Sequence, residues 1–194
     1  MLPGLNWYHK QMTPPDHQHV LILGLGNLLL QDEGLGILSL QWLQKTYAWP
    51  ANVTLMDGGV MGLELLPYIE ACDAVCIIDA VRSGRKPGTL VRLKRDEIPA
   101  VIALKYSVHQ VGFQETMAML QLRGTVPHHM VLWGIEPEHI ALGMSLSPAV
   151  ASKMPLLSHA VVEQLVHWGI TPLCKKIMDT THITAIQDTA QQAC

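Results

Sequence analysis

Four short runs of apolar residues constrain the fold of this chain most strongly. They lie at residues 20–23, 53–56, 75–78 and 130–133, and each is followed directly by a glycine or an aspartate. The runs are too short for buried helices, and segments with helical spacing lie between them. Alternation of buried strands with helices is typical of an α/β layer fold with a largely parallel sheet.

A fifth strand, predicted at residues 88–93, differs from the other four. Only residues 80–87 separate it from the third run, and this linker contains Gly84 and Pro87. Because the linker is too short for a helical crossover, we expect this strand to be antiparallel to its neighbour and at or near a sheet edge. The sequence predicts a three-layer α/β/α sandwich with a mixed, mostly parallel five-stranded sheet.

The helical segments carry recognisable boundaries. The first has apolar residues at steps of three and four, from Ile37 to Tyr47. The second covers residues 62–70 and contains Pro67, which we expect to kink it. Residues 107–110 have the pattern of a capping box and predict a helix that ends near residue 123. Residues 147–148 open the last helical region, which Pro155 should kink or split.

Length and composition limit the classes of protein that fit. With 194 residues, 49% of them apolar, the chain predicts one globular domain at 18–170, with flexible segments at 1–17 and 171–194. The net charge of −3 offers no basic field for nucleic acid, and no apolar run reaches the roughly 20 residues that membrane insertion requires. The four cysteines do not predict a disulfide framework at this length, so we expect a cytoplasmic protein.

Charged residues are only 15% of the chain, yet several acids follow the predicted strands. The carboxyl ends of parallel strands meet at one edge of a sheet, where ligands bind in such folds. We therefore expect a group of five acids and one histidine at this edge: Asp32, Glu33, Asp57, Asp79, Glu136 and His109.

Two kinds of chemistry fit this group. Glu33, Asp79 and His109 offer two oxygens and one nitrogen, a set that suits a divalent transition metal with open positions. The helix N-terminus around His109 favours the neutral imidazole that a metal requires. Alternatively, Asp57 and Asp79 share a proton and activate water. Each acid also has an ordinary structural interpretation, since an aspartate after a strand often caps a turn or a helix.

A glycine pattern after the first strand supports a different class of function. Gly24 and Gly26 match the first two glycines of a dinucleotide-binding turn, but position 29, where the third would stand, is leucine. A nucleotide-binding α/β module is therefore an alternative with weaker support.

Six blocks of the sequence, in order, resemble those of the NiFe-hydrogenase maturation endopeptidases. They are GLGNLLLQDEGLG at 24–36, DGG with GLELL at 57–66, IDA at 78–80, SVHQ at 107–110, LWGIEP at 132–137 and LSPAV at 146–150. The resemblance covers residues 18–170, and the subgroup that serves uptake-type, membrane-bound hydrogenases is the most similar.

The resemblance implies a specific function. Such enzymes remove a C-terminal extension from the hydrogenase large-subunit precursor after nickel insertion, in the cytoplasm. It implies nickel contacts at Glu33, Asp79 and His109, with the nickel carried by the substrate rather than by the free enzyme. Asp79, Glu33 and Asp57 become the candidate catalytic residues of an aspartic-type or metal-assisted endopeptidase. We expect a monomer, with the precursor as its partner.

A non-catalytic chaperone of the nickel site would use the same residues. The motifs alone do not separate such a chaperone from a protease, because both would bind the precursor at its nickel.

Overall fold

A computed structural model describes residues 18–102 and 108–175. Seven strands occur in this part of the chain: β1 (Val20–Leu25), β2 (Tyr47–Ala48), β3 (Val53–Gly59), β4 (Ala74–Ala80), β5 (Leu90–Lys94), β6 (His129–Ile135) and β7 (Leu173–Cys174). Five of them form one sheet in the order β3-β1-β4-β6-β5, which is parallel except for β5. The predicted mixed, mostly parallel sheet is confirmed.

Strand β5 lies at the edge of the sheet, as its short linker predicted. Its partner is β6, which enters the sheet later in the chain, with Leu90 opposite Ile135 and Lys94 opposite Val131. The linker after β4 therefore carries the chain past the position of β6 before β5 turns back along the edge.

Helices cover both faces of the sheet. They are α1 (Leu35–Thr46), α2 (Leu66–Glu70), α3 (Ile98–Ile102), α4 (Val108–Arg123), α5 (Pro148–Ala151) and α6 (Met154–His167). Alternate strand residues pack with α1 and α6 in one buried cluster, and the intervening residues pack with α2 and α4 in a second. This arrangement is the predicted three-layer sandwich.

Pro67 and Pro155 both stand where a helix begins, because an N-terminal turn does not need the missing amide proton. Pro67 stands in the first turn of α2, after a 3-10 turn at Leu63–Leu65, and so starts this helix rather than kinking it. Pro155 stands in the first turn of α6 and splits the last helical region, as predicted. Ser147 caps α5 and accepts a hydrogen bond from the amide of Val150 at 3.3 Å. The capping box predicted at 107–110 lies outside the described residues, because residue 107 and the side chains of 108–110 do not belong to the described part of the chain.

Residues just after position 170 pack against the domain. Tyr47, which we expected in the first helix, instead pairs with Cys174 in the two-stranded sheet of β2 and β7. Ile170 and Cys174 are buried in the cluster that contains α1 and α6.

Glycines bring the segment after β1 against the end of the sheet. A Cβ atom at Gly36, in the first turn of α1, would overlap the carbonyl oxygens of Leu25 and Ile78. Gly26 has φ +132°, and a Cβ atom there would overlap the carbonyl oxygen of Glu33. The 3-10 turn Gln31–Gly34 consequently lies directly on the carboxyl ends of β1 and β4, the edge that we call the carboxyl edge.

We expect Gly36→Ala to destabilise the protein by about 3 kcal/mol or more, because backbone atoms rather than a flexible side chain oppose the added methyl group. Urea denaturation followed by circular dichroism measures the change. Gly84→Ala is the control, since Gly84 has φ +75° but open space around it, and it should cost only about 1–2 kcal/mol. Equal losses in the two variants would contradict this account of the packing.

Candidate functional site

Glu33 and Asp79 lie on two adjoining elements at the carboxyl edge. Glu33 belongs to the 3-10 turn that follows β1, and Asp79 is the penultimate residue of the neighbouring strand β4. Their exposed fractions are 0% and 2%, and both carboxylate oxygens of Glu33 and Oδ1 of Asp79 are shielded from solvent. Two predicted site residues that are 46 positions apart in sequence are therefore placed on adjoining elements.

His109 lies in the first turn of α4, and its side chain is outside the described part of the structure. Four residues later, Phe113 packs on the same face of the sheet as Ile77. Asp79 follows Ile77 by two positions and so belongs to that same face of β4. Helix α4 thus begins on the face of the sheet to which Asp79 belongs.

Asp57 is placed differently from Glu33 and Asp79. It is exposed on the edge strand β3, where it pairs with Gly24 of β1. On the other side of β1, Gly24 pairs with Ile78 of β4. Strand β1 therefore separates Asp57 from β4 by two strand spacings, about 10 Å. Asp57 lies on the same face of β3 as Val53 and Leu55, because every second residue of a strand points to the same side. Val53 and Leu55 pack on the α1 face of the sheet, which is opposite to the face of Asp79. The arrangement in which Asp57 and Asp79 share a proton does not occur here.

Asp32 has a role that its position after a strand does not reveal. Its fully buried carboxylate accepts hydrogen bonds from the amides of Glu138, His139 and Ser147 and from the hydroxyl of Ser147, at 2.6–2.9 Å. All these donors belong to the segment between β6 and α5, more than 100 positions away. Asp32 therefore has a structural role, as an aspartate after a strand often does, but the segment that it anchors is distant in sequence.

Glu136 anchors a second segment at the same edge. Its buried carboxylate accepts hydrogen bonds from the amide and hydroxyl of Ser83, both at 2.7 Å, and from the amide of Arg85 at 3.2 Å. These contacts fix the linker between β4 and β5. Of the five acids that we expected at this edge, Asp32 and Glu136 are thus loop anchors. The sequence placed them at the edge but carried no signal for their partners.

An apolar ridge stands beside the Glu33 turn. Leu30 and Gly143 form an isolated parallel bridge, and the amides of Gly143 and Gln31 donate to the carbonyls of Leu29 and Gly143 at 3.0 and 2.8 Å. This pairing exposes three apolar side chains, which we name the apolar ridge: Leu29 at 58%, Leu142 at 86% and Met144 at 73%.

The glycine turn after β1 is used for packing within the chain. The space next to Gly26 is filled by the carbonyl of Glu33, whereas a dinucleotide turn keeps it open for a pyrophosphate. A Cβ atom at Gly24 would lie 2.7 Å from the carbonyl oxygen of Gly36. The geometry therefore gives no support to the nucleotide-binding alternative.

The two free cysteines in the described residues are poor nucleophiles. Cys76 is fully buried in β4, and burial raises the pKa of its thiol to about 12. Burial and the neighbouring Asp73 carboxylate also raise the pKa of the Cys72 thiol. At neutral pH both remain protonated, whereas the nucleophilic form is the thiolate.

Among the described side chains, no three histidine, cysteine, aspartate or glutamate residues form a metal-ligand group. Glu33 and Asp79, two of the three residues predicted to contact nickel, belong to these described side chains. The side chain of the third residue, His109, does not belong to them.

The fold and this edge define an α/β protein with buried carboxylates where its parallel strands end. Residues 39–164 match the family model described as hydrogenase maturation protease (HycI). A hydrogenase expression/formation protein HupD of Rhodobacter capsulatus is 44% identical over 79% of this chain and 74% of its own length. The HupD protein of Bradyrhizobium diazoefficiens is 37% identical over 82% and 84%.

A solved structure of the same class of protein is also similar to this chain. The hydrogenase maturating endopeptidase HybD from Escherichia coli superposes with a TM-score of 0.79 at 32% identity, over 82% of this chain and 99% of that one. The chain therefore belongs to the hydrogenase maturation proteases and is an endopeptidase of hydrogenase maturation. The expected uptake-type subgroup fits the HupD names.

Within residues 18–102 and 108–175, none of the helices combines the length and the apolar character that a membrane span requires.

Proposed function

We propose that this protease removes the C-terminal extension of a NiFe-hydrogenase large-subunit precursor after nickel insertion, and that it recognises the nickel bound in the precursor. The observation that carries the proposal is the placement of Glu33 and Asp79, two buried carboxylates, on adjoining elements of the carboxyl edge. With the precursor as partner, we expect the enzyme to act as a cytoplasmic monomer.

In this proposal Glu33, Asp79 and His109 contact the nickel of the substrate. Two carboxylate oxygens and one imidazole nitrogen suit a divalent transition metal that keeps other ligands from the precursor. Buried carboxylates commonly bind cations in proteins, and Glu33 and Asp79 are both buried. The start of α4 on the Asp79 face of the sheet supports the inclusion of His109.

The enzyme gains rate mainly by placing the scissile bond. Holding the nickel fixes the peptide bond next to it, and positioning of this kind lowers a barrier by about 7–11 kcal/mol in ideal cases. Asp79 is the first candidate for the general base that activates water, with Glu33 beside it. Asp57 is the second candidate, since its exposed side chain on β3 is open to a bound substrate. These roles cover both an aspartic-type and a metal-assisted reaction.

Single substitutions test the nickel contacts. We expect Glu33→Gln, Asp79→Asn and His109→Ala each to slow processing of nickel-loaded precursor by about 100-fold or more, because each removes a ligand or an acid–base group. A time course of product formation on denaturing gels measures the rate.

Glu163→Gln is the control, because Glu163 is an exposed residue of α6 that pairs only with His159 at 3.2 Å in the described structure. Asp57→Asn is tested in parallel, and a slower rate with unchanged binding would identify Asp57 as the base. Processing at the control rate by all three nickel-contact variants would contradict the assignment.

The apolar ridge supports a polypeptide substrate. Leu142 and Met144 are exposed on a segment that Asp32 holds in place, and Leu29 adjoins the Glu33 turn. Exposed apolar side chains held rigidly next to a site indicate a surface that a partner covers. We therefore place the precursor segment next to the nickel on this ridge.

Replacing Leu142 and Met144 together by serine should raise KM for the nickel-loaded precursor several-fold and leave kcat unchanged, since both side chains act only in binding. Steady-state kinetics of processing measure this split. Leu122→Ser is the matched control, because Leu122 is 82% exposed but lies in the last turn of α4, at the opposite edge of the sheet. A KM equal to that of the control would exclude the ridge from the substrate site.

A further inference from the structure

We infer that Asp32 is a positioning residue that sets the orientation of Glu33 toward the nickel of the substrate. This inference rests on the proposed function. Asp32 immediately precedes Glu33 within the same 3-10 turn, and it touches neither substrate nor nickel in our assignment. Its effect on the reaction would pass through the backbone of the turn.

The turn is held from both sides by contacts of Asp32. Its carboxylate accepts hydrogen bonds from the amides of Glu138 and His139, each at 2.9 Å, and from the amide of Ser147 at 2.6 Å. In the reverse direction, the Asp32 amide donates to the carbonyl of His139 at 3.3 Å. Asp32 and the segment before α5 therefore hold each other through both backbone and side chain.

Backbone contacts fix the remaining freedom of Glu33. Its amide donates to the carbonyl of Leu30 at 3.2 Å, and its carbonyl accepts from the amide of Asn27 at 3.2 Å while packing against Gly26. Gln31 has φ +49°, an unfavourable conformation for a residue with a side chain, and its amide is bonded to Gly143. Strain of this kind persists only where the surrounding structure enforces it.

The hydrogen-bonding pattern requires a carboxylate at position 32. In the described part of the chain, four groups hydrogen-bond to the Asp32 side chain, and all four are donors. A carboxylate has only acceptor atoms and so suits all of them. An asparagine of the same shape would place an NH₂ group against these donors. Asp32→Asn should therefore release the segment before α5 and let the Glu33 turn relax.

Glu136 provides a matched control within the same molecule. It is also buried at the carboxyl edge, and its side chain also accepts hydrogen bonds only from amides and a hydroxyl. It anchors the linker between β4 and β5 and belongs to no turn that contains a proposed nickel contact. Glu136→Gln should thus cost stability without disturbing Glu33.

The test compares Asp32→Asn and Glu136→Gln in the full chain by two measurements. The first is kcat and KM for nickel-loaded precursor, where we expect a loss in kcat/KM of about 10- to 100-fold for Asp32→Asn, typical of a residue that orients a metal contact. Glu136→Gln should lose less than Asp32→Asn, because it anchors the linker that follows Asp79 rather than the turn that contains Glu33. The second is amide hydrogen exchange of the free enzyme, which should accelerate at residues 31–34 in Asp32→Asn only.

Ser147→Ala and Ser147→Thr keep the test decisive if Asp32→Asn does not fold. The alanine variant removes the hydroxyl that bonds to Asp32 at 2.9 Å, and threonine restores it. We expect a partial loss of processing with alanine and recovery with threonine. The inference is overturned if Asp32→Asn and Glu136→Gln lose activity equally, or if residues 31–34 exchange as in wild type.

Failure of the proposed function would look different. In that case the wild-type enzyme processes nickel-free precursor as fast as nickel-loaded precursor, whatever the variants do. Faster exchange at residues 31–34 and slower processing of both precursors by Asp32→Asn would then still support a positioning role for Asp32.

Discussion

The close approach of the Gln31–Gly34 turn to the ends of β1 and β4 is the constraint on which the site depends. Gly26 and Gly36 make it possible, because a side chain at either position would overlap backbone carbonyls. The approach places Glu33 on the carboxyl edge, in a turn that contacts the strand of Asp79, and parallel sheets present ligands at this edge. The same close contacts therefore pack α1 against the sheet and position Glu33 at the carboxyl edge.

Two neighbouring acids in this turn have opposite tasks. Asp32 directs its carboxylate to the segment before α5 and is saturated with donors, whereas we propose that Glu33 contacts the substrate. Glu136 is a second structural anchor, and its carboxylate holds the linker after β4 in place. A protein with few charged residues thus uses buried carboxylates both to build the edge and, in our proposal, to bind a cation there.

Much of the fold was predictable, because its signals are local. The length of each apolar run, the short linker before β5 and Pro155 each act on neighbouring residues, and the observed sheet and split helix follow from them. The pairing of Tyr47 with Cys174 was missed, since no local pattern links two residues so far apart. The same reason hid the partners of Asp32 and Glu136. The alternative in which Asp57 and Asp79 share a proton required the two residues to adjoin, whereas strand order places β1 between them.

The central claim is that the enzyme recognises nickel in its substrate, and one measurement tests it most directly. Purified wild-type enzyme is incubated with large-subunit precursor that is either nickel-loaded or nickel-free, and the shortened product is quantified by mass spectrometry. We predict cleavage of the nickel-loaded precursor and none of the nickel-free form. Equal cleavage of both would contradict the account.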